Sequence, residues 1–590
     1  MVPENTEGEE MKEEKLWPLA NIVFPEEGFL DVPELFCREG DCLHGFGHGA
    51  RRKYRRLSFD TWMNLFAEKK WRMYCDVGRM FLRVRARGCL RVELVGHALD
   101  AGFGSISESL CAIDADFGQE LSERVFPVEL PAEYEAVSFH AVLGEGSLLE
   151  SAAWCTDRDP VRRNRIALVS CTFRREAYIQ ATMAKFHEFL EGHPGLQDRF
   201  RLFVVDNGKT LEASSSPYIK VIPNMNAGGA GGFARGLMEA NDGGFDRCLF
   251  LDDDVEVLPE SFFRTLAVTD YLREEYRDAF LSGVMMNLHK KTLCTESLTV
   301  RDGFWIRGYH GNCPVETPKD VLRCIHVDPA VFDEETASSS WWYACFSLES
   351  MGGEYPIPAF IRGDDAEWSW RRFGVHHIVL NGICVWHLPF EWKTSRLVDR
   401  YYLPRNMFLA HAMHDRKFRE EFEEEFTRTF DYLAQTLDYP SIDLLLASMR
   451  DILKGREAFA ENPLEQRERL NRTCRKADTH PCKDKGELLE LKKRSLRGIK
   501  GKKGMALDFN TDPQCYKGKD EVRVYHLLHE SYELRIRDEE QERRTRREFR
   551  WLLYQMGTHY EEISEHLHAC HEEFKTREFW NAYLELGKGL

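Results

Sequence analysis

The pattern of apolar and polar positions divides the chain into three regions. Between Trp71 and Gly96 apolar and charged residues alternate, as expected for half-exposed strands. From Ile166 to about residue 260, fully apolar runs alternate with segments of helical periodicity, and after about residue 400 charged segments have apolar residues at helical spacing. This pattern predicts an N-terminal all-β sandwich, an α/β region with a parallel, Rossmann-like sheet and a C-terminal α-helical region, over residues 1–160, 161–400 and 401–590.

Composition narrows the class of protein. A chain of 590 residues is too long for one core, and its hydrophobic share of 43% is typical of a globular protein. The formal net charge of -18 argues against a nucleic-acid binder. No apolar run approaches the roughly 20 residues that span a bilayer. The acidic first residues are the reverse of a signal peptide, so the 17 cysteines are predicted to be reduced thiols in the cytoplasm.

Three consecutive carboxylates follow a buried strand. The apolar run Cys248–Leu251 leads directly into Asp252, Asp253 and Asp254. Polar tips also end the two preceding strands, at 172–175 and 206–208, and ligands bind at the carboxyl ends of parallel strands. Buried carboxylates are costly unless they are paired or bind a metal, so the triplet is either a metal site or a solvated acidic turn.

A glycine-rich stretch lies between these strands. It runs from Asn226 through Gly228 and Gly229 to Gly236 and leads into a helix. Glycine lets backbone N–H groups approach a phosphate closely, and the helix adds its positive end. A dinucleotide fingerprint fits poorly, because its single ribose-binding carboxylate is replaced by the Asp triplet. A diphosphate held through a divalent metal fits both motifs.

A second acidic pair, Asp364-Asp365, opens a predicted helix. Asp364 and Glu367 have the spacing of a capping box, which assigns Asp364 to the helix cap. This leaves Asp365 available as a general base. Further on, an apolar strand ends in His387, which is either a core residue or a metal ligand that completes the Asp cluster.

Taken together, these motifs resemble the inverting GT-A glycosyltransferases of family 2. More narrowly, they resemble the bacterial galactofuranosyltransferases that polymerise cell-wall galactan, which also have an N-terminal β-sandwich and a helical C-terminal region. The resemblance is carried by the following segments: 172–175, 206–208, 226–236, 252–254, 341–342, 364–365 and 386–387.

The resemblance implies a role for each matched residue. Asp252, Asp254 and His387 would hold Mn²⁺ or Mg²⁺, and Asp365 would be the catalytic base. The residues that would bind the nucleotide-sugar donor are Arg175, Asp206, Asn226, Gly228, Gly229 and Asp253. The residues that would face the acceptor are Glu296, Trp305, Trp341, Trp342 and Asp364.

The resemblance also implies partners and leaves alternatives open. The donor would be UDP-galactofuranose and the acceptor a lipid-linked glycan, handled by a homo-oligomer at the inner membrane face. The basic run 491–504 is either a solvated loop or a segment that contacts anionic lipid or substrate. A transferase for another nucleotide sugar, such as rhamnose, and a non-catalytic glycan-binding protein remain alternatives. The family has a tryptophan immediately before the paired aspartates, where this chain has Gly363.

Overall fold

A computed structural model describes most of the chain. The described residues are 15–46, 49–100, 102, 104–326, 337–372, 375–390, 395–414, 416–481, 503–507, 513–526 and 531–586. Most of the basic run 491–504 therefore lies outside the described residues. Within the described part, no helix is both long and apolar enough to cross a membrane.

The N-terminal region consists of two antiparallel sheets. The elements are β1 (Trp17–Asn21), β2 (Arg38–His44), β3 (Arg52–Ser58), α1 (Glu68–Tyr74), β4 (Met80–Arg87), β5 (Cys89–Leu99), β6 (Ser105–Asp116), β7 (Ser122–Val128), β8 (Ala136–Leu143) and β9 (Leu148–Thr156). The strand orders of the two sheets are β1-β9-β4-β7 and β2-β3-β8-β5-β6. Alternate residues of β4 and β5 are buried, and both sheets contribute to one apolar core.

The central region is built around one large mixed sheet. Its elements are β10 (Ile166–Thr172), α2 (Glu176–Gly192), β11 (Phe200–Asp206), β12 (Ile219–Pro223), α3 (Gly228–Asp242), β13 (Arg247–Asp252), β14 (Glu256–Val257), α4 (Pro259–Tyr271), β15 (Phe280–Asn287), β16 (Leu293–Glu296), β17 (Leu298–Asp302), β18 (Trp305–Tyr309), β19 (Cys313–Pro314), α5 (Pro318–Ile325), β20 (Ala337–Ser338), β21 (Tyr343–Ser347), α6 (Asp364–Trp370) and β22 (His377–His387). The strand order is β12-β11-β10-β13-β21-β15-β16-β19, and β22 pairs with β14 and β15.

The first four strands of this sheet are parallel, as the sequence predicted, and β21 runs antiparallel to β13. Both faces of the sheet are buried. Ile166 and Leu168 of β10 belong to the core shared with the N-terminal sheets, whereas Ala167 and Val169 belong to the core shared with the C-terminal helices. This two-sided burial explains why β10 is a continuous apolar run.

The C-terminal region is mainly helical, and it includes a small sheet that the sequence pattern did not predict. After a π-helical turn at Val398–Tyr402, the elements are α7 (Leu403–Met413), α8 (Arg419–Gln435), α9 (Tyr439–Lys454), α10 (Arg456–Phe459), α11 (Pro463–Thr473), β23 (Thr479–Pro481), β24 (Lys503–Leu507), β25 (Glu521–His526), β26 (Ser531–Ile536), α12 (Glu539–Thr558), α13 (Tyr560–Phe574) and α14 (Arg577–Tyr583). Phe422, Phe426 and Phe430 form the buried stripe of α8 at the predicted helical spacing. The small sheet has the strand order β23-β26-β25-β24.

Candidate active site

Two strand ends bring the predicted metal ligands together. Asp252 is the last residue of β13, and the short strand β14 that follows pairs with the end of β22, with Glu256 opposite Trp386. This pairing places His387 Nε2 3.4 Å from Asp254 Oδ1 and 3.8 Å from Asp252 Oδ2. One ligand atom from each of the three residues lies within 4.8 Å of the others. The carboxylate and imidazole donors suit a divalent metal cation.

Arg175 lies beside this cluster and neutralises part of its charge. Its Nη1 is 3.1 Å from Asp253 Oδ1 and 2.6 Å from Asp254 Oδ2. Burial raises the pKa of Asp253, and the ion pair with Arg175 opposes that rise. Asp253 is therefore oriented by Arg175, while Asp252 is the more exposed carboxylate of the triplet.

The glycine-rich stretch has two separate structural roles. At its start, Gly228 has φ +73° and its N–H donates to the Asn226 side chain at 3.1 Å. A Cβ on Gly228 would lie 2.0 Å from the carbonyl oxygen of Phe360, so only glycine fits this turn beside the cavity. Further along α3, a Cβ on Gly232 or Gly236 would collide with side chains of β10. These later glycines therefore allow the helix to pack closely on the sheet.

Two predicted contact residues, Asp206 and Trp305, are not among the residues that line the cavity, and their binding roles stay predictions. The Asp206 carboxylate accepts N–H bonds from Gly208, Thr210 and Leu211 at 2.6–2.9 Å, so it shapes the turn after β11. The Trp305 indole donates to Glu425 at 2.7 Å and packs against the C-terminal core. Asp206 was predicted to line the cavity because it ends a strand. In the structure its carboxylate oxygens accept hydrogen bonds from the turn that follows this strand.

The paired aspartates open α6, although not as a capping box. The cap is Gly363, with φ +77°, and Asp364 is the first helical residue. Glu367, the expected partner of the cap, is instead fully buried and pairs with Arg371 at 2.6 Å. Its carboxylate also lies 3.2 Å from His414 Nε2, so it anchors α6 to the C-terminal helices.

Both carboxyls of the pair have perturbed acidity. Burial, with the charge of Asp365 as a smaller cause, raises the pKa of Asp364 to about 7. Burial also raises the pKa of Asp365, against the opposing effects of an N–H bond from Ala366 and the nearby charge of Arg362. Since the two groups interact, ionisation of one carboxyl opposes ionisation of the other.

The loop before α6 is held by one side chain of the C-terminal region. Phe360, Arg362 and Gly363 all have φ between 68° and 77°. The Asn406 amide, fully buried on α7, donates to the carbonyl oxygens of Ala359, Ile361 and Arg362 at 2.8–2.9 Å. Left-handed conformations are unfavourable for residues other than glycine, so these bonds stabilise the bend that presents the paired aspartates.

The metal cluster, the glycine turn and the paired aspartates line one cavity of about 600 Å³. This volume is in the range of small-molecule binding sites. Thirteen of the fifteen predicted site residues line it, namely Arg175, Asn226, Gly228, Gly229, Asp252, Asp253, Asp254, Glu296, Trp341, Trp342, Asp364, Asp365 and His387.

The tryptophan pair forms a largely buried wall of this cavity. The indole N–H of Trp342 donates to the Gly283 carbonyl at 2.8 Å, which fixes its ring. Trp341 packs edge-on against Phe233 and Phe250, and its indole nitrogen has no hydrogen-bond partner within the described part of the chain. Trp341 thus packs in the core and also lines the cavity.

The chain is similar to two galactofuranosyltransferases. It is 23% identical over 479 residues to galactofuranosyltransferase GlfT2 of Mycolicibacterium smegmatis, covering 74% of this chain and 71% of that protein. It is 22% identical over 487 residues to GlfT2 of Mycobacterium tuberculosis, covering 77% and 76%. These similarities confirm the predicted enzyme class, a glycosyltransferase.

Other comparisons add nothing to this result. No protein-family model matches the chain. Among solved structures, the xylanase 10B modules of Clostridium thermocellum are 9% identical and cover 33% of this chain and 35% of their own, with a TM-score of 0.14. A similarity this low carries no argument about the fold.

Sequence reasoning missed several residues that line the cavity. They are Cys171, Phe173, Asn207, Phe233, Thr299, Ile306, Arg307, Gly308, Ser340, Phe360, Ile361, Arg362, Gly363, Phe390, Val398 and Arg467. Arg362 and Phe390 lie within three residues of predicted site residues, and this proximity in the sequence was a signal that could have identified them. Val398 and Arg467 belong to the C-terminal region, and no local pattern linked them to the α/β site.

Proposed function

We propose that this protein is an inverting, metal-dependent glycosyltransferase with a GT-A fold. It would transfer galactofuranose from UDP-galactofuranose to a growing cell-surface glycan. The observation that carries the proposal is the shared cavity: the Asp252, Asp254 and His387 cluster and the paired aspartates line the same space. The similarity to galactofuranosyltransferases supports the choice of donor sugar.

The sheet supports the GT-A assignment. Strands β12, β11, β10 and β13 run parallel in that order, and the Asp triplet follows the carboxyl end of β13. Ligands bind at this end of open α/β sheets. A nucleotide bound at this end of the sheet would be able to contact the carboxyl ends of β10 and β13 and the turn at Gly228.

The residues that line this cavity have different proposed roles in the reaction. Asp252, Asp254 and His387 would hold the divalent ion, which when bound supplies Lewis-acid stabilisation of the leaving diphosphate. Asp365 is the proposed general base that takes the proton of the acceptor hydroxyl. Attack by that hydroxyl on the face opposite the diphosphate gives inversion in one displacement, so the mechanism needs no nucleophilic side chain.

Asp364 is proposed to support the base. It is more deeply buried than Asp365, and its pKa of about 7 allows it to hold a proton while Asp365 is ionised. A neutral neighbour avoids repulsion between two carboxylates at the reacting hydroxyl. The tryptophan wall lies beside this pair and provides an apolar surface on which a sugar ring can pack.

The proposal is tested by donor selection. Purified protein with Mn²⁺ is incubated with UDP-galactofuranose, UDP-galactopyranose and a nucleotide-linked rhamnose, together with a short galactan acceptor. We expect release of UDP from UDP-galactofuranose, no release in chelator, and a product of inverted anomeric configuration by NMR. Release from the rhamnose donor alone would reassign the sugar, and no release from any donor would reject the proposed function.

The acceptor, the oligomeric state and the membrane contact are also proposals. We propose a lipid-linked acceptor and a homo-oligomer that contacts the inner face of the membrane. The residues proposed for lipid contact, 491–504, fall almost entirely outside the described part of the chain. Light scattering gives the oligomeric state, and cosedimentation with anionic vesicles at low and high salt tests the membrane contact.

A further inference from the structure

Four arginines line the cavity, and they differ in how their charge is used. Arg175 pairs with two carboxylates of the Asp triplet, and Arg307 lies 3.4 Å from Asp302. The guanidinium of Arg362 forms no ion pair and no side-chain hydrogen bond with any residue that the structure describes. Arg467 is also unpaired among those residues, but it is exposed on α11. Among the described residues, Arg362 is therefore the partly buried arginine of the cavity whose guanidinium N–H donors have no partner.

Arg362 is held in position by its surroundings. Its backbone has φ +69°, and its carbonyl oxygen accepts from the Asn406 amide at 2.8 Å. Its guanidinium carbon lies 4.3 Å from the centre of the Phe390 ring. The Phe390 ring is in turn 5.3 Å from the His387 ring, so the stacked guanidinium is one aromatic ring away from a metal ligand.

The missing tryptophan before the paired aspartates is explained by the same loop. Gly363 has φ +77°, and a Cβ there would lie 3.3 Å from the Asn406 Cβ and 3.5 Å from the Met407 sulfur. A large ring at position 363 would be both strained and crowded. The stacked side chains of Arg362 and Phe390 border the side of the cavity next to Asp365. This side therefore carries a planar cation where the family that the chain resembles has a tryptophan ring.

We propose that Arg362 is a phosphate-binding residue of this site and that it acts as a second cation beside the metal cluster. The inference rests on the proposed function, which brings phosphate into the cavity from two sources, the UDP of the donor and the phosphate of a lipid-linked acceptor. A planar guanidinium donates two parallel bonds to phosphate oxygens. Stacking on Phe390 restricts the side chain in advance, which reduces the entropy lost on binding.

The alternative role for Arg362 is purely electrostatic. Burial raises the pKa of Asp364, Asp365 and Asp399, and the nearby charge of Arg362 opposes that rise. In that role its removal would shift the pH dependence of turnover and leave phosphate affinity unchanged. The two roles are separated by measuring binding and the pH profile on the same variant.

The experiment uses the full-length protein and the variant Arg362→Gln. Binding of UDP and of inorganic diphosphate is measured by calorimetry with Mn²⁺, and KM is measured for a lipid-phosphate acceptor and for a phosphate-free galactan acceptor. We expect affinity for UDP and diphosphate to fall about 10- to 100-fold, as for loss of a charge-assisted bidentate pair. The matched control is Arg124→Gln, which removes another arginine stacked on a phenyl ring, at 5.6 Å from Phe117 in the N-terminal sheets.

Each outcome decides a different point. A fall in UDP and diphosphate affinity with unchanged acceptor KM identifies the donor as the source of the phosphate. Unchanged UDP affinity with a raised KM for the lipid-phosphate acceptor only identifies the acceptor. A shifted pH profile with both affinities unchanged, or no change at all in a folded variant, overturns the inference. Wild-type protein that binds diphosphate but turns over no donor would reject the proposed function and leave Arg362 testable by diphosphate binding.

Discussion

Asp364 gives a stability prediction that can be calculated from its surroundings. Its side chain is 6% exposed, and burial together with the nearby Asp365 raises its pKa from 3.8 to about 7. The variant Asp364→Asn has nearly the same shape but carries no charge at any pH. We therefore expect the variant to become more stable relative to the wild type as the pH rises.

The sign and size follow from proton linkage. Because the folded-state pKa lies above the unfolded value, the stabilising contribution of the protonated form is complete below about pH 3.8 and is lost as the pH rises through about 7. A pKa difference of about 3 corresponds to about 4 kcal/mol over the whole range. Between pH 5 and pH 8 the wild type should lose about 3 kcal/mol of unfolding free energy that the variant keeps.

The assay is urea unfolding of both proteins in chelator at pH 5 and pH 8, followed by tryptophan fluorescence. The readout is the difference in unfolding free energy between variant and wild type at each pH. Asp302→Asn serves as the control, because it removes a carboxylate whose side chain is 67% exposed. A difference between Asp364→Asn and wild type that is the same at both pH values would refute the claim that Asp364 is ionised at a cost in the folded protein.

Three further predictions concern the reaction. Asp365→Asn should lower kcat about 10²–10⁴-fold with unchanged UDP affinity, and normal turnover would remove Asp365 as the base. His387→Ala should weaken Mn²⁺ binding in calorimetry and cost several kcal/mol of transition-state stabilisation, so activity that persists without added metal would contradict the metal site. Gly228→Ala should introduce about 1–3 kcal/mol of backbone strain and a clash with the Phe360 carbonyl, seen as lost UDP binding in a protein with unchanged circular dichroism. Retained UDP affinity would show that the turn adapts.

The sequence predicted those parts of the site that depend on strand ends. The parallel order of β10, β11 and β13 follows from continuous apolar runs, and it brings the Asp triplet to one edge of the sheet. His387 was predicted on the same reasoning, because β22 also ends at the cavity. In each case a short local pattern fixes both the element and the place where it stops.

Contacts between distant regions were not predictable in this way. Asn406 is an ordinary amide in a helical segment, and nothing in its neighbours shows that it binds three carbonyls of the 359–362 loop. Glu367 has the spacing of a capping-box residue. In the structure its carboxylate instead pairs with Arg371 and with two histidines of the C-terminal region. Tertiary partners of this kind override local propensity, and one sequence alone does not reveal them.

The contact between α14 and α3 has a consequence for biosynthesis. The Trp580 indole donates to the Pro356 carbonyl at 2.8 Å, its ring lies against Gly231, and Arg577 pairs with Asp242 at 2.6 Å. At roughly 5–20 residues per second, a ribosome needs about 20–70 s to travel from α3 to α14. Throughout that interval α14 has not been synthesised and cannot cover this face of the glycine-rich helix. We expect this face to be a site of chaperone capture during translation, and a ribosome stalled before α14 should hold a sheet that is protease-resistant beside an α3 that is still cleavable.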